Sequence, residues 1–202
     1  IGSGSAQYSV WGDQEKSGVA KNIVIRGHAI VNAKNDGGGA AIGAAWGDNA
    51  EVTIGTAGAT AEQENVHVTA TASYGAAIGK GAKDTKVTIQ GHSTIWTANI
   101  RNSTAIGSKD GNVEVNIKDN VTIDAKDEGT SIRYEGGGSG IGGGDIRVDS
   151  NRKVVVNIDG GTNGKVKIGD YVQIFGKYGA ISATEVNIGN NVLLKMKPWK
   201  LP

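Results

Sequence analysis

The chain has 202 residues, among which 33 are glycine, two are proline and none is cysteine. The lack of cysteine excludes disulfides and thiolate metal sites. The formal net charge is +1 with acidic and basic residues interleaved, which gives no basic stripe for nucleic acid. No stretch approaches the length of apolar sequence that a membrane-spanning helix needs, so we expect none.

A short phrase, Ala-Ile-Gly, returns along the chain at intervals of 28 to 40 residues. Self-similarity at this kind of period is typical of solenoid proteins, in which each repeat is one structural unit stacked on the next. The sequence therefore predicts a solenoid. The phrase stands at residues 41–43, 77–79 and 105–107, and in altered form at residues 140–142 and 180–182.

A second phrase, Val-x-Ile, runs in step with the first. Its apolar–polar–apolar alternation predicts a strand whose two apolar residues face inward. A corner rich in Gly, Asp and Asn follows most of these strands, and an apolar residue returns six positions after the isoleucine. The strands are predicted at residues 23–25, 52–54, 87–89, 115–117, 156–158 and 186–188. The returning residues are Val31, Ile95, Ile123, Ile174 and Leu194, and the corner before Ile174 is predicted to begin at Ile168-Gly169.

Each repeat thus consists of three short strands, and no window shows the apolar spacing of an amphipathic helix. We predict an all-β fold, a single-stranded right-handed parallel β-helix of about five to six three-strand coils, as one domain over residues 1–202. Both 156–158 and 166–168 fit the strand pattern. This predicts an insertion within 143–165 and leaves the register of 143–170 open. The segment 195–202 is predicted to be a blunt C-terminal tail.

Two columns of outward-facing residues follow from this alignment. Glu51, Lys86 and Glu114 occupy equivalent positions in successive coils, and opposite charges one strand apart favour that register. The middle residues of the Val-x-Ile strands form a regular polar column, which we interpret as a candidate face for self-association. Its members are Thr53, Thr88, Asn116, Asn157 and Asn187.

The strings at residues 39–43, 75–82 and 103–107, each followed by Val-Thr-Ile or Val-Asn-Ile, resemble the Gly/Ala/Asn-rich coils of bacterial autotransporter passenger domains. The resemblance implies a β-helix adhesin that is secreted or displayed on the bacterial cell surface, acting in adhesion or self-association. Trimeric autotransporter heads use similar phrases at about half this repeat length. Because the chain opens at Ile1 and shows no leader, we expect a mature or excised segment.

Paired tryptophans provide a candidate glycan-binding site. The strings Trp11-Gly12-Asp13 and Trp46-Gly47-Asp48 recur 35 residues apart, so their indoles are predicted to lie in adjacent coils. Flat indoles suit sugar rings, and the two aspartates could bind hydroxyl groups. The alternative is that the stacked indoles only cover an apolar part of the N-terminal coils.

A local concentration of charged side chains, Asp145, Asp149 and Arg152, is the candidate for a carbohydrate-active site, with a solvated loop as the alternative. His28 and His92 share one corner position with Asn120 and Asn191, which favours a turn role at positive φ.

No motif for a metal, phosphate or dinucleotide is present, so we expect no metal and no cofactor. The sequence predicts a non-catalytic cell-surface or secreted segment whose partners are its own copies or surface glycans. A glycan-binding module and a β-helix enzyme with a site near 145–152 are the alternatives.

Overall fold

A computed structural model describes residues 1–2, 20–44, 49–80, 83–99, 104–108, 110–127, 140–143, 151–172 and 181–196. These residues form 17 strands, and within the described ranges there is no helix. The strands lie in three sheets, and neighbouring strands in each sheet are parallel.

Every third strand along the chain belongs to the same sheet, so each coil contributes one strand to each sheet in turn. The strands are numbered in chain order. The first sheet contains β1 (Ala20–Ile25), β4 (Ala50–Ile54), β7 (Asp84–Ile89), β10 (Asn112–Lys118), β13 (Val154–Asp159) and β16 (Glu185–Ile188). The second contains β2 (Ile30–Asn35), β5 (Val66–Ala72), β8 (His92–Asn99), β11 (Asn120–Asp127), β14 (Val166–Val172) and β17 (Val192–Met196). The third contains β3 (Ile42–Gly43), β6 (Ile78–Gly79), β9 (Ile106–Ser108), β12 (Ile141–Gly143) and β15 (Ile181–Ser182).

This arrangement confirms the predicted all-β parallel β-helix of three-strand coils. The six-stranded first sheet holds the Val-x-Ile phrases, and the third sheet holds the Ala-Ile-Gly phrases. Ile42, Ile78, Ile106 and Ile141 form one buried column in the third sheet, as the phrase spacing predicts. Burial of each such side chain contributes about 1.5–3 kcal/mol before the loss of chain entropy offsets most of it.

The glycine of the Ala-Ile-Gly phrase has a positive φ and lies against the next coil. At Gly107, φ is 123°, and a Cβ there would lie 2.1 Å from the carbonyl oxygen of Gly142. Gly43, Gly79 and Gly142 repeat this geometry in their own coils. Gly2 also pairs with Gly43, so the phrase Ile1-Gly2 continues the column by one member. An L side chain is excluded here on two grounds, backbone conformation and space.

Coil five differs from the sequence-based placement of its corner. Ile168 pairs with Ile123 on one side and Leu194 on the other, so it lies in the second sheet. The prediction that a corner begins at Ile168-Gly169 is therefore wrong. The related prediction that Ile174 returns to the core concerns a residue outside the described ones. The strand before the corner is β13, and the chain passes through residues 160–165 before β14 begins. Strands of the first and second sheets use the same apolar alternation, which is why both segments fit the pattern.

The corner of coil two is also long. Residues 55–65, here called the strap, connect β4 to β5. The Glu64 carboxylate is 1% exposed and accepts hydrogen bonds from the backbone N–H groups of Thr56 (2.7 Å) and Gly27 (3.3 Å). Farther along the solenoid, the Gly58 N–H donates to Asp119 at 3.2 Å. The strap thus joins the corners of several coils through two carboxylates.

Candidate functional site

The outward face of the first sheet carries an unbroken polar column. Thr53 pairs with Thr88, which pairs with Asn116, so each residue lies directly opposite its equivalent in the next coil. The column continues through Asn157 to Asn187. Side chains alternate along a strand, and the flanking valine and isoleucine of β4, β7, β10 and β13 are buried, so this column faces solvent. The five residues are called the Thr/Asn column.

The three asparagines of the column are hydrogen-bonded to one another in series. Asn187 Nδ2 donates to Asn157 Oδ1 at 2.8 Å, and Asn157 Nδ2 donates to Asn116 Oδ1 at 2.8 Å. Asn116 Nδ2 then donates to Glu114 Oε1 at 2.7 Å. Each amide therefore has a fixed orientation, and the face holds its side chains in place before any partner binds.

A column of charges runs beside the Thr/Asn column. Glu51 pairs with Lys86 and Lys86 with Glu114, which confirms the register expected from their charges. Lys86 Nζ lies 3.5 Å from Glu114 Oε1, and the side chains are 51% and 46% exposed, so the pair contributes little to stability. The Asn116 hydrogen bond and then the Lys86 charge lower the pKa of Glu114 from 4.5, while partial burial opposes them. The amide series therefore ends on a carboxylate whose ionised form its neighbours favour.

An open groove of about 560 Å³ lies along this charged column. Asn112 Nδ2 donates to Asp84 Oδ1 at 2.9 Å on its wall, and the Lys153 N–H donates to Asn112 Oδ1 at 3.0 Å. The balance of acids and bases suits another mixed surface better than a polyanion. Its charged lining residues are Lys21, Glu51, Asp84, Lys86, Glu114 and Lys153.

The predicted glycan site consists of residues that lie outside the described part of the chain, namely Trp11, Asp13, Trp46 and Asp48. Among the described residues, Trp96 is half-buried on the outward face of the second sheet, paired with Thr69 and with Asp124 in the neighbouring strands.

The candidate carbohydrate-active site is described only at Arg152. Its Nε donates to the Gly111 carbonyl at 2.7 Å and its Nη2 to the Ser108 carbonyl at 3.3 Å. The guanidinium is therefore engaged with the turn of the preceding coil. Asp145 and Asp149 lie outside the described residues.

The histidines occupy turn and surface positions. His92 pairs with Asn120, whose Nδ2 lies 3.2 Å from His92 Nε2. The positive φ expected at His28 and His92 is found one residue earlier, at Gly27 (76°) and Gly91 (66°), because glycine adopts it without steric cost. That detail of the prediction is wrong. Across the described ranges, no three His, Cys, Asp or Glu side chains are grouped as a metal site would require.

Two buried charged residues have roles that the sequence does not reveal. Glu64 binds amide groups of two corners, and Lys80 Nζ donates to the carbonyl of Gly38 in the preceding coil. Both contacts reach another coil, and neither position belongs to a repeated phrase. The one sequence signal for the buried position of Glu64 is the presence of glycines in the corners that it contacts.

Comparison of the chain with protein-family models, with curated proteins and with solved structures finds no match. In the part of the chain that the structure describes, no helix is long and apolar enough to cross a membrane.

Proposed function

We propose that this chain is a non-catalytic β-helix segment, secreted or displayed on a bacterial surface, that self-associates side by side through the Thr/Asn column. The observation that supports the proposal most is the hydrogen-bonded amide series on a flat outward face. Ordering free side chains at an interface costs about 0.5–1.5 kcal/mol each. Asn116, Asn157 and Asn187 are already ordered, so this face binds a partner at a reduced entropic cost.

The charges favour a particular arrangement of the two copies. If two solenoids docked in parallel about a two-fold axis, Lys86 would face Lys86 and Glu114 would face Glu114. In an antiparallel dimer whose axis passes between β7 and β10, Lys86 of each copy faces Glu114 of the other. The same two-fold rotation places β1 of one copy opposite β16 of the other. Lys21 lies in β1 beside the position equivalent to Glu51, so it faces Glu185, which holds that position in β16. Opposite charges then meet at the two central strands and at the two outermost strands of the first sheet, while Glu51 of each copy faces Val155 of the other.

A charge-swap series tests this interface by sedimentation velocity over a range of concentrations. Because the two-fold axis repeats each contact, Lys86→Glu alters two ion pairs, each worth about 0.2–1 kcal/mol, and places like charges opposite each other. We expect Lys86→Glu or Glu114→Lys to weaken the dimer about tenfold. The double variant Lys86→Glu/Glu114→Lys again places opposite charges at positions 86 and 114 across the interface and should restore wild-type affinity.

The matched control is Lys167→Glu, which changes a charge on the outward face of the second sheet and should leave association unchanged. A monomeric wild-type chain would overturn the proposal. So would a double variant that associates no better than the two single variants.

A further inference from the structure

The corner between β13 and β14 contains the one Asn-Gly pair of the sequence, Asn163-Gly164. In such a pair the backbone nitrogen of the glycine can attack the side-chain amide of the asparagine, because glycine has no side chain to hinder the approach. Residues 161–163 form a turn, and Asn163 is exposed. The amide that would be attacked therefore lies where water reaches it.

No described contact holds the two reacting groups apart. Within the described ranges, the Asn163 side chain has no hydrogen-bond partner and the Gly164 N–H donates to no acceptor. Asn35, at the end of β2, provides a contrast. Its Nδ2 donates to the Ala40 carbonyl at 3.0 Å, and its Oδ1 accepts a hydrogen bond from the Gly37 N–H at 2.7 Å. The Asn35 amide is thus held in place, whereas that of Asn163 can turn towards the Gly164 nitrogen.

We propose that Asn163 is a site of spontaneous deamidation through a cyclic imide. The Gly164 nitrogen forms a bond to Asn163 Cγ, the Cγ–Nδ2 bond breaks, and ammonia leaves with the proton of the Gly164 N–H. Water then opens the imide ring. Cleavage of the bond from nitrogen to Cγ gives aspartate, whereas cleavage of the bond from nitrogen to the main-chain carbonyl carbon gives isoaspartate, whose main chain runs through Cβ and Cγ.

The isoaspartate form adds a methylene to a main chain that has little space for it. A Cβ on Gly164 would lie 2.5 Å from the Gly160 carbonyl oxygen and 2.7 Å from that of Asp119, so the corner already packs closely on the neighbouring coil. The next N–H along the chain, that of Lys165, donates to Asn120 Oδ1 at 3.0 Å. We expect isoaspartate to displace Lys165 from Asn120 and to open this N–H to exchange with solvent.

Either product adds a negative charge to a corner that already contains a carboxylate. Asp159 Oδ1 accepts hydrogen bonds from the N–H groups of Gly161 and Asn190, each at 2.8 Å. The modification therefore works as a slow and irreversible change that loosens the corner of coil five. This corner carries no residue of the Thr/Asn column, so the modification is independent of the function proposed above.

Incubation of the full chain at mildly alkaline pH, followed by peptide mapping with mass spectrometry, tests the site. We expect Asn163 to be converted ahead of the other asparagines. A methylation assay specific for isoaspartate identifies the route, because direct hydrolysis of the amide gives only aspartate. Hydrogen exchange at the Lys165 N–H should be faster in the isoaspartate form than in the unmodified chain.

Two glutamine variants serve as a matched pair. Asn163→Gln should abolish the conversion, since attack on the longer side chain would need a six-membered ring, which forms far more slowly. Asn65→Gln should leave it unchanged, because Asn65 is an exposed corner asparagine that is followed by the branched Val66. An unmodified Asn163 in the folded chain, aspartate without isoaspartate, or conversion of Asn65 as fast as that of Asn163 would overturn the proposal.

Discussion

At the scale of single residues, glycine determines how closely the coils stack in the third sheet. Gly107 combines a φ of 123° with an approach of 2.1 Å between a hypothetical Cβ and the Gly142 carbonyl oxygen. Gly58 provides a contrast, since its φ is 69° but nothing lies within 4 Å of the same hypothetical atom. Conformational strain and steric collision can therefore be separated within this chain.

Gly107→Ala should lower the free energy of unfolding by about 2–5 kcal/mol, because strain and overpacking add. Gly58→Ala should cost only the strain, about 1–2 kcal/mol. Urea unfolding followed by circular dichroism measures both. Equal losses for the two variants would contradict the assignment of the glycine column to close packing between coils.

At the scale of elements, the corners are held by carboxylates that reach other coils. Glu64→Ala leaves the N–H groups of Gly27 and Thr56 without their acceptor in a site closed to solvent. We expect a loss of about 2–4 kcal/mol in unfolding free energy, with faster hydrogen exchange at these two amides. Glu62→Ala, an exposed change in the same strap, should have almost no effect. Unchanged exchange at Gly27 and Thr56 would refute the role of Glu64.

The strands were predictable because their pattern is local, whereas the corners were not. The Val-x-Ile alternation identifies inward and outward residues directly, and so it predicts the Thr/Asn column in register. It does not identify which sheet a strand joins, since β13 and β14 carry the same alternation. Corner length varies from coil to coil, so spacing could not decide between them.

Contacts between coils were also beyond prediction. Glu64 and Gly27 are 37 residues apart and Gly58 and Asp119 are 61 apart, and neither pair belongs to a repeated phrase. The amide series was unexpected for a similar reason. The sequence places Asn116, Asn157 and Asn187 in one column, but the side-chain orientations follow from the distance between strands.

At the scale of the whole molecule, the described coils present one ordered lateral face, on which three asparagines are hydrogen-bonded in series. In the proposed dimer this face is used twice about a two-fold axis, so association stops at two copies.

The most direct test of the lateral interface is disulfide trapping, which this chain suits because it has no native cysteine. In the antiparallel dimer Thr53 of one copy faces Asn157 of the other. Within one copy these residues lie three coils apart, about 14 Å, which is too far for a disulfide. Mild oxidation of the Thr53→Cys/Asn157→Cys variant should therefore give a covalent dimer on a non-reducing gel, while Thr53→Cys alone stays monomeric. Failure of the double variant to cross-link, or cross-linking of Thr53→Cys alone, would contradict the antiparallel Thr/Asn interface.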